Sequence, residues 1–263
     1  MSWNTGMFFD ALRADRTDFM KPVGLLPVFA GLVLFLSPAH SETRKDKHLV
    51  TVERHDSITV YYPDYSRIDL ATGTMPSTDE KNVIFLCAGA FTGERMDGFK
   101  HSNIAGHHVS SGKFYQGYRC GPNNGVFTWS PKRGWRFFNY SHKNSEAPLK
   151  TAAQEGGMGY CQSLLFYNGK QFKGCFKADA PNQYRALCEL NGKLCIVDCA
   201  RRLPFGNFMS ALKKLGVKNA IYCDMGGWNY SWYRQDDGKV KELFPNPNKH
   251  ATNWIVFYGD AGK

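Results

Sequence analysis

Between Tyr184 and Asp224 the chain reads as hairpin, helix and strand with almost nothing between them. This order restricts the fold more than any other stretch. Two strand-like runs, Tyr184 to Leu190 and Leu194 to Cys199, flank Asn191-Gly192, the dipeptide best suited to a two-residue turn with φ > 0 at both centres. Asn207 to Leu215 places Phe208, Ala211, Leu212 and Leu215 at spacings near 3.6, and Gly216 supplies a stop. The helix leads into the apolar run Asn219 to Cys223, whose length suits a buried strand. Before this block, strands are expected within Leu49 to Tyr62 and Asn82 to Ala90, and a Gly-rich series of short strands runs from Ile104 to Tyr140. A short helix is expected over Pro148 to Gln154, then a hairpin of Leu164 to Tyr167 and Phe172 to Phe176 around Asn168-Gly169. The evenly spaced early strands oppose a doubly wound parallel sheet, so the expectation is an α+β (mixed α/β) fold: a strand-rich mixed sheet with few helices.

Pro22 to Pro38 carries no charge and is dominated by Leu, Val, Phe, Ala and Gly. With Lys21 before it and Ala39-His40-Ser41 as a small-x-small site, it reads as a signal peptide. Residues 1–41 are expected to be removed, translation is expected to start at Met20, and residues 42–263 are expected to form one domain with no long linker. The run is short for a membrane span and Pro22, Pro27 and Pro38 punctuate it, so no stable membrane anchor is expected after cleavage and the location is periplasmic or secreted. The formal charge is +10, and the leader contributes none of it. Such a surface favours anionic partners without selecting one. All eight cysteines follow the leader, which permits disulfides, but Cys87, Cys195 and Cys223 sit in apolar strand-like runs; one or two bridges are expected. No Cys/His spacing of a structural zinc site occurs, and no metal or cofactor is expected.

Chemistry concentrates in Lys218 to Arg234, where an apolar run delivers Asp224 to Gly226 and Gly227 and then to Trp228, Tyr230, Trp232 and Tyr233. One reading is a catalytic carboxylate at a strand end beside an aromatic platform. The other is a tight turn, with Asp224 bonded to nearby backbone N–H groups and the tryptophans packed. His107 and His108 are neighbours on a strand, so at most one is expected to point inward. Glu155 is a candidate second carboxylate, and Gly156-Gly157-Met158-Gly159 a candidate backbone cradle for phosphate. No G-x-S-x-G occurs, which removes support for a serine hydrolase. No nucleic-acid module is evident, and nucleic acid is not an expected partner.

From Val83 to Tyr258 the chain resembles the phosphodiester glycosidase family. Six elements carry the resemblance in order: Ala88-Gly89-Ala90-Phe91, Gly106 to Gly112, Ala152 to Asn168-Gly169, Tyr184-Arg185-Ala186-Leu187, the helix, and Asp224-Met225-Gly226-Gly227. Ala88 stands where the family carries Asn, Met225 interrupts its glycine run, and Trp228 replaces its Ser, with Asn229 and Ser231 close by as replacement polar groups. The resemblance implies hydrolysis of a sugar joined through its anomeric carbon to phosphate, and hence a phosphorylated glycan or sugar phosphodiester as partner. Phosphate monoester is a good leaving group, so the needs are a cation for phosphate, a carboxylate at the reacting carbon and a sugar platform. Arg185, Asp224 and Trp228 suit these roles, with Asp198 as the next carboxylate. Gly89, Phe91, Gly226, Gly227, Asn229, Ser231 and His108 complete the expected binding set. Arg185 could instead be an internal ion pair, for which Asp224 is the named partner. The alternative function is a non-catalytic envelope glycan-binding module that keeps the fold and its aromatic cleft.

Overall fold

The computed structural model describes residues 48–92, 99–119, 124–140, 144–199, 201–225, 230–243 and 251–260. The expected leader and cleavage site lie outside them. Lys45–Lys263 forms one compact unit. The structure is an α+β fold, strand-rich with two helices among the described residues, and every ladder between its strands is antiparallel.

The first sheet has seven strands in the order β1 (Val50–His55), β2 (Ile58–Pro63), β14 (Lys193–Asp198), β13 (Arg185–Leu190), β16 (Asn219–Cys223), β10 (Leu164–Tyr167) and β11 (Lys170–Gln171). The second runs β18 (Val240–Glu242), β17 (Ser231–Arg234), β4 (Val83–Ala88), β19 (Asn253–Tyr258), β3 (Arg67–Thr72). The third runs β6 (Lys113–Tyr115), β5 (His108–Ser110), β9 (Met158–Gln162), β7 (Gly125–Ser130), β8 (Gly134–Asn139). Strands β12 (Pro181–Asn182) and β15 (Leu203–Pro204) make a small separate ladder.

Inner faces of all three sheets share one core. Leu187, Ile196, Ile221 and Cys223 meet Ile68, Phe85, Cys87, Ile255 and Phe257 of the second sheet and Phe127, Met158 and Tyr160 of the third. The opposite face of the first sheet is covered by helix α2 (Phe205–Leu215), whose Phe205, Phe208, Met209 and Leu212 pack on Val60, Ala186, Cys188, Val197 and Tyr222. Central strands are therefore buried on both faces, which explains apolar runs in place of alternation. Helix α1 (Glu146–Gln154) covers the third sheet through Leu149, against Val109, Val126 and Cys161.

Turn chemistry behaves as the residues dictate. Asn191 and Gly192 take φ of 51° and 72°, and Asn168 and Gly169 take 50° and 77°. Gly216 ends α2 at φ 79°. Leu49 to Tyr62 holds two strands instead of one, because the chain reverses at Asp56 with φ 37° and pairs His55 with Ile58. Phe172 to Phe176 is not a strand. The return strand is only β11, after which the chain leaves the sheet so that Phe176 can join the rings of Tyr184, Phe205 and Tyr222. The seven described cysteines are all free thiols, so no bridge joins any of them; six are buried as small apolar groups, and Cys120 lies outside the described residues. Among the described residues no helix is long and apolar enough to cross a membrane.

Candidate functional site

Strand register brings the sequence's charged candidates to one end of the first sheet. Across β14, β13 and β16, Asp198 lies opposite Arg185 and Arg185 opposite Cys223, so the residue after that row is Asp224. In the second sheet Ser231 lies opposite Cys87, at the end of β4 that leads to Gly89. Arg185 is fully buried and crosses the gap between these sheets. Its Nε and Nη2 donate to Asp198 Oδ2 at 2.9 and 2.6 Å, and Nη2 also donates to Ser231 Oγ at 2.8 Å. Burial alone would lower the arginine pKa, but the Asp198 carboxylate and the nearby Cys87 outweigh it and hold the guanidinium charged. Burial pushes the Asp198 carboxyl upward while Arg185 pulls it back. Arg185, Asp198 and Ser231 thus form one internal network; the arginine takes the ion-pair alternative, with Asp198 and not Asp224 as its partner.

Asp224 stands apart from that network. Its backbone N–H donates to the Gly89 carbonyl at 2.8 Å, and its Oδ1 accepts from the Met225 N–H at 2.9 Å. The side chain is buried beside Tyr222, and burial pushes its carboxyl up to about 8 against the opposing Met225 bond. At neutral pH the group is mostly a neutral acid, able to donate a proton. Gly89 is held by β19: Asn253 Oδ1 accepts from the Ala90 N–H at 2.7 Å and Asn253 Nδ2 donates to the Ala90 carbonyl at 2.9 Å. A Cβ on Gly89 would fall 2.8 Å from Asn253 Oδ1, which explains the glycine. Phe91 then lays its ring 5.5 Å from that of Tyr222. Gly89, Phe91 and Asp224 are therefore one cluster. Gly226, Gly227, Trp228 and Asn229 lie outside the described residues.

Both His107 and His108 are buried, on opposite faces of the third sheet, because that sheet has the main core on one side and α1 on the other. His107 faces Phe114 and Glu146. His108 Nδ1 lies 3.3 Å from the Gly106 carbonyl and its Nε2 lies 3.0 Å from His101 Nδ1. Burial lowers the His108 pKa to about 4 and also lowers that of His101. Glu155 accepts from Ser130 Oγ and Arg133 Nε, both at 2.7 Å, in a separate groove. The candidate cradle at Gly156-Gly157 is instead the end of α1, where the Gly156 and Gly157 N–H groups donate to the Ala153 and Ala152 carbonyls. Gly157 is required because a Cβ would meet the Trp129 carbonyl at 2.0 Å. Asn253, His101 and Tyr115 escaped the sequence reading. Asn253 had one available signal, a polar residue opening an otherwise apolar strand. Among the described residues no group of three or more His, Cys, Asp or Glu side chains could hold a metal.

No family model and no curated protein matches the chain. Among solved structures, the catalytic domain of zebrafish N-acetylglucosamine-1-phosphodiester alpha-N-acetylglucosaminidase, auto-inhibited by its pro-peptide, aligns with a TM-score of 0.53 at 14% identity over 81% of this chain and 82% of that one. A hypothetical protein from Synechocystis aligns with a TM-score of 0.46 at 12% identity, over 80% of this chain and 61% of that chain. The fold of this chain is thus similar to that of a phosphodiester glycosidase catalytic domain.

Proposed function

We propose that the chain is an exported hydrolase that cleaves a sugar-1-phosphodiester in an envelope or secreted glycan. The observation that carries the reading is Asp224, a buried carboxyl shifted to about 8 at the end of β16, in a fold similar to that catalytic domain. Asp224 is the proton-donating group for the leaving phosphate oxygen; Gly89 and Phe91 border it, and Trp228 follows it as the sugar platform. Arg185 with Asp198 and Ser231 locks the ends of β13, β14 and β17 around this position. The leader-like residues 20–41 support export.

A second reading is a non-catalytic glycan-binding module, favoured by the Arg185 guanidinium being internally paired to Asp198. The two separate in one experiment. The full chain and Asp224→Asn are incubated with a panel of sugar-1-phosphodiesters, and free sugar is followed beside equilibrium binding. Turnover by wild type alone, with binding retained in the variant, supports the hydrolase. Saturable binding with no turnover by either protein supports the module.

A further inference from the structure

The outer face of the third sheet carries a groove that the Asp224 cluster does not include. Helix α1 packs over β5, β9 and β7, and the outward residues of the edge strand β8 leave a groove of about 250 Å³ beside it. Strand alternation puts Arg136 and Phe138 on this side, with Tyr140 next in the series. The Phe138 and Tyr140 rings stack, with centroids 5.4 Å apart and planes 17° apart. Phe138 thus takes one face of Tyr140, which is nonetheless 39% exposed, the one exposed large hydrophobic side chain among the described residues. Thr128 lies directly opposite Arg136 in the ladder of β7 and β8, so the two side chains stand together on the groove floor. Thr128 is only 6% exposed, and its hydroxyl has no hydrogen-bond partner among the described residues. A buried hydroxyl lining a groove needs water or a ligand to complete it. The Arg136 guanidinium is exposed and also has no partner among the described residues. Towards the turn of the hairpin, Glu155 is already held by Ser130 Oγ and Arg133 Nε. Two arginines line the groove with one carboxylate, which leaves one uncompensated positive charge.

We propose that this groove binds an acidic sugar, a pyranose unit bearing a carboxylate or a phosphate. The apolar C–H face of the ring lies on the free face of Tyr140, the anionic group takes the forked donors of Arg136, and a ring hydroxyl bonds Thr128 Oγ1. The volume falls below the roughly 300–1,000 Å³ of pockets for drug-sized ligands, which limits the occupant to about one sugar unit. A bare anion would leave the aromatic shelf and the Thr128 hydroxyl unused, and a neutral sugar would leave the guanidinium unused. A nucleotide is larger, and the described lining holds no Asn or Gln to read a base edge. The inference does not depend on the hydrolase reading.

The test is titration of the full chain, followed by backbone amide NMR, with glucuronate, glucose 6-phosphate, glucose, acetate, inorganic phosphate and adenosine monophosphate. Saturable binding of glucuronate or glucose 6-phosphate is expected, with shifts centred on Thr128, Arg136 and Thr151; the tighter of the two identifies the anionic group. Glucose and both bare anions are expected to bind at least about 10-fold more weakly. Arg136→Gln and Tyr140→Ala are each expected to weaken the acidic sugar by about 10-fold or more, and Thr128→Val by a smaller factor. Urea midpoints matching wild type exclude misfolding as the cause. Acetate or phosphate binding as tightly as the acidic sugars overturns the sugar class, and so does tighter binding of adenosine monophosphate. Shifts confined to other residues, an Arg136→Gln affinity equal to wild type, or no saturable binding of either acidic sugar overturns the site.

Discussion

Asp198→Asn is the sharpest probe of how the strand ends are held. The variant keeps the shape of the side chain and one oxygen acceptor but removes the charge opposite a guanidinium with no solvent exposure. Ser231 Oγ still accepts from Nη2, but a neutral hydroxyl does not replace the lost charge. Breaking a buried pair from one side typically costs about 3–5 kcal/mol, because the surviving charge stays desolvated. With a urea m-value of about 2.5 kcal/mol/M, the unfolding midpoint should fall by roughly 1–2 M. Removing both charges, as in Arg185→Met with Asp198→Leu, leaves no orphan ion and should cost less than Asp198→Asn alone. Equilibrium urea unfolding followed by tryptophan fluorescence reads both effects. An Asp198→Asn midpoint within about 0.2 M of wild type would refute the pairing, and so would a double variant less stable than the single one.

Asp224 gives a linked stability signal. Its folded pKa lies above its unfolded value, so its contribution is fully present below about pH 4 and is lost as pH rises through about 8. Wild type should therefore lose stability between pH 5 and pH 8.5 while Asp224→Asn loses less, measured by unfolding at both values. Gly89→Ala should cost about 1–3 kcal/mol, because the new Cβ falls 2.8 Å from Asn253 Oδ1 and 3.2 Å from Leu70 Cδ1; a thermal melt checks it. Gly216→Ala should cost about 1 kcal/mol, since φ of 79° at the end of α2 strains any side chain, and it should leave ligand binding unchanged.

Much of the fold is legible where local chemistry is self-sufficient. Asn191-Gly192, the Phe208–Leu212 stripe and Gly216 specify their own conformations, and the structure holds each as read. Phe172 to Phe176 misleads because its apolar residues serve an aromatic cluster under α2 and not a ladder. The two-strand character of Leu49 to Tyr62 is hidden because Asp56 turns without a glycine. Of the candidate site, the place of Asp224 at the end of a buried strand is legible from the apolar run before it. The partner of Arg185 does not, since Asp198 is matched to it by hairpin register and no local pattern marks an ion pair. The stack of His101 on Tyr115 is invisible for a related reason: contact between a turn and a strand leaves no periodic trace.

The central claim is that Asp224 transfers a proton in the breaking of a sugar–phosphate bond. Its most direct test is a phosphorus NMR time course of sugar-1-phosphodiester with the full chain across pH 5 to 9, with Asp224→Asn in parallel. The account predicts conversion to phosphate monoester by wild type, with the rate falling as pH passes about 8, and none by the variant. Equal conversion by both proteins, or a wild-type rate that keeps rising through pH 9, would contradict it.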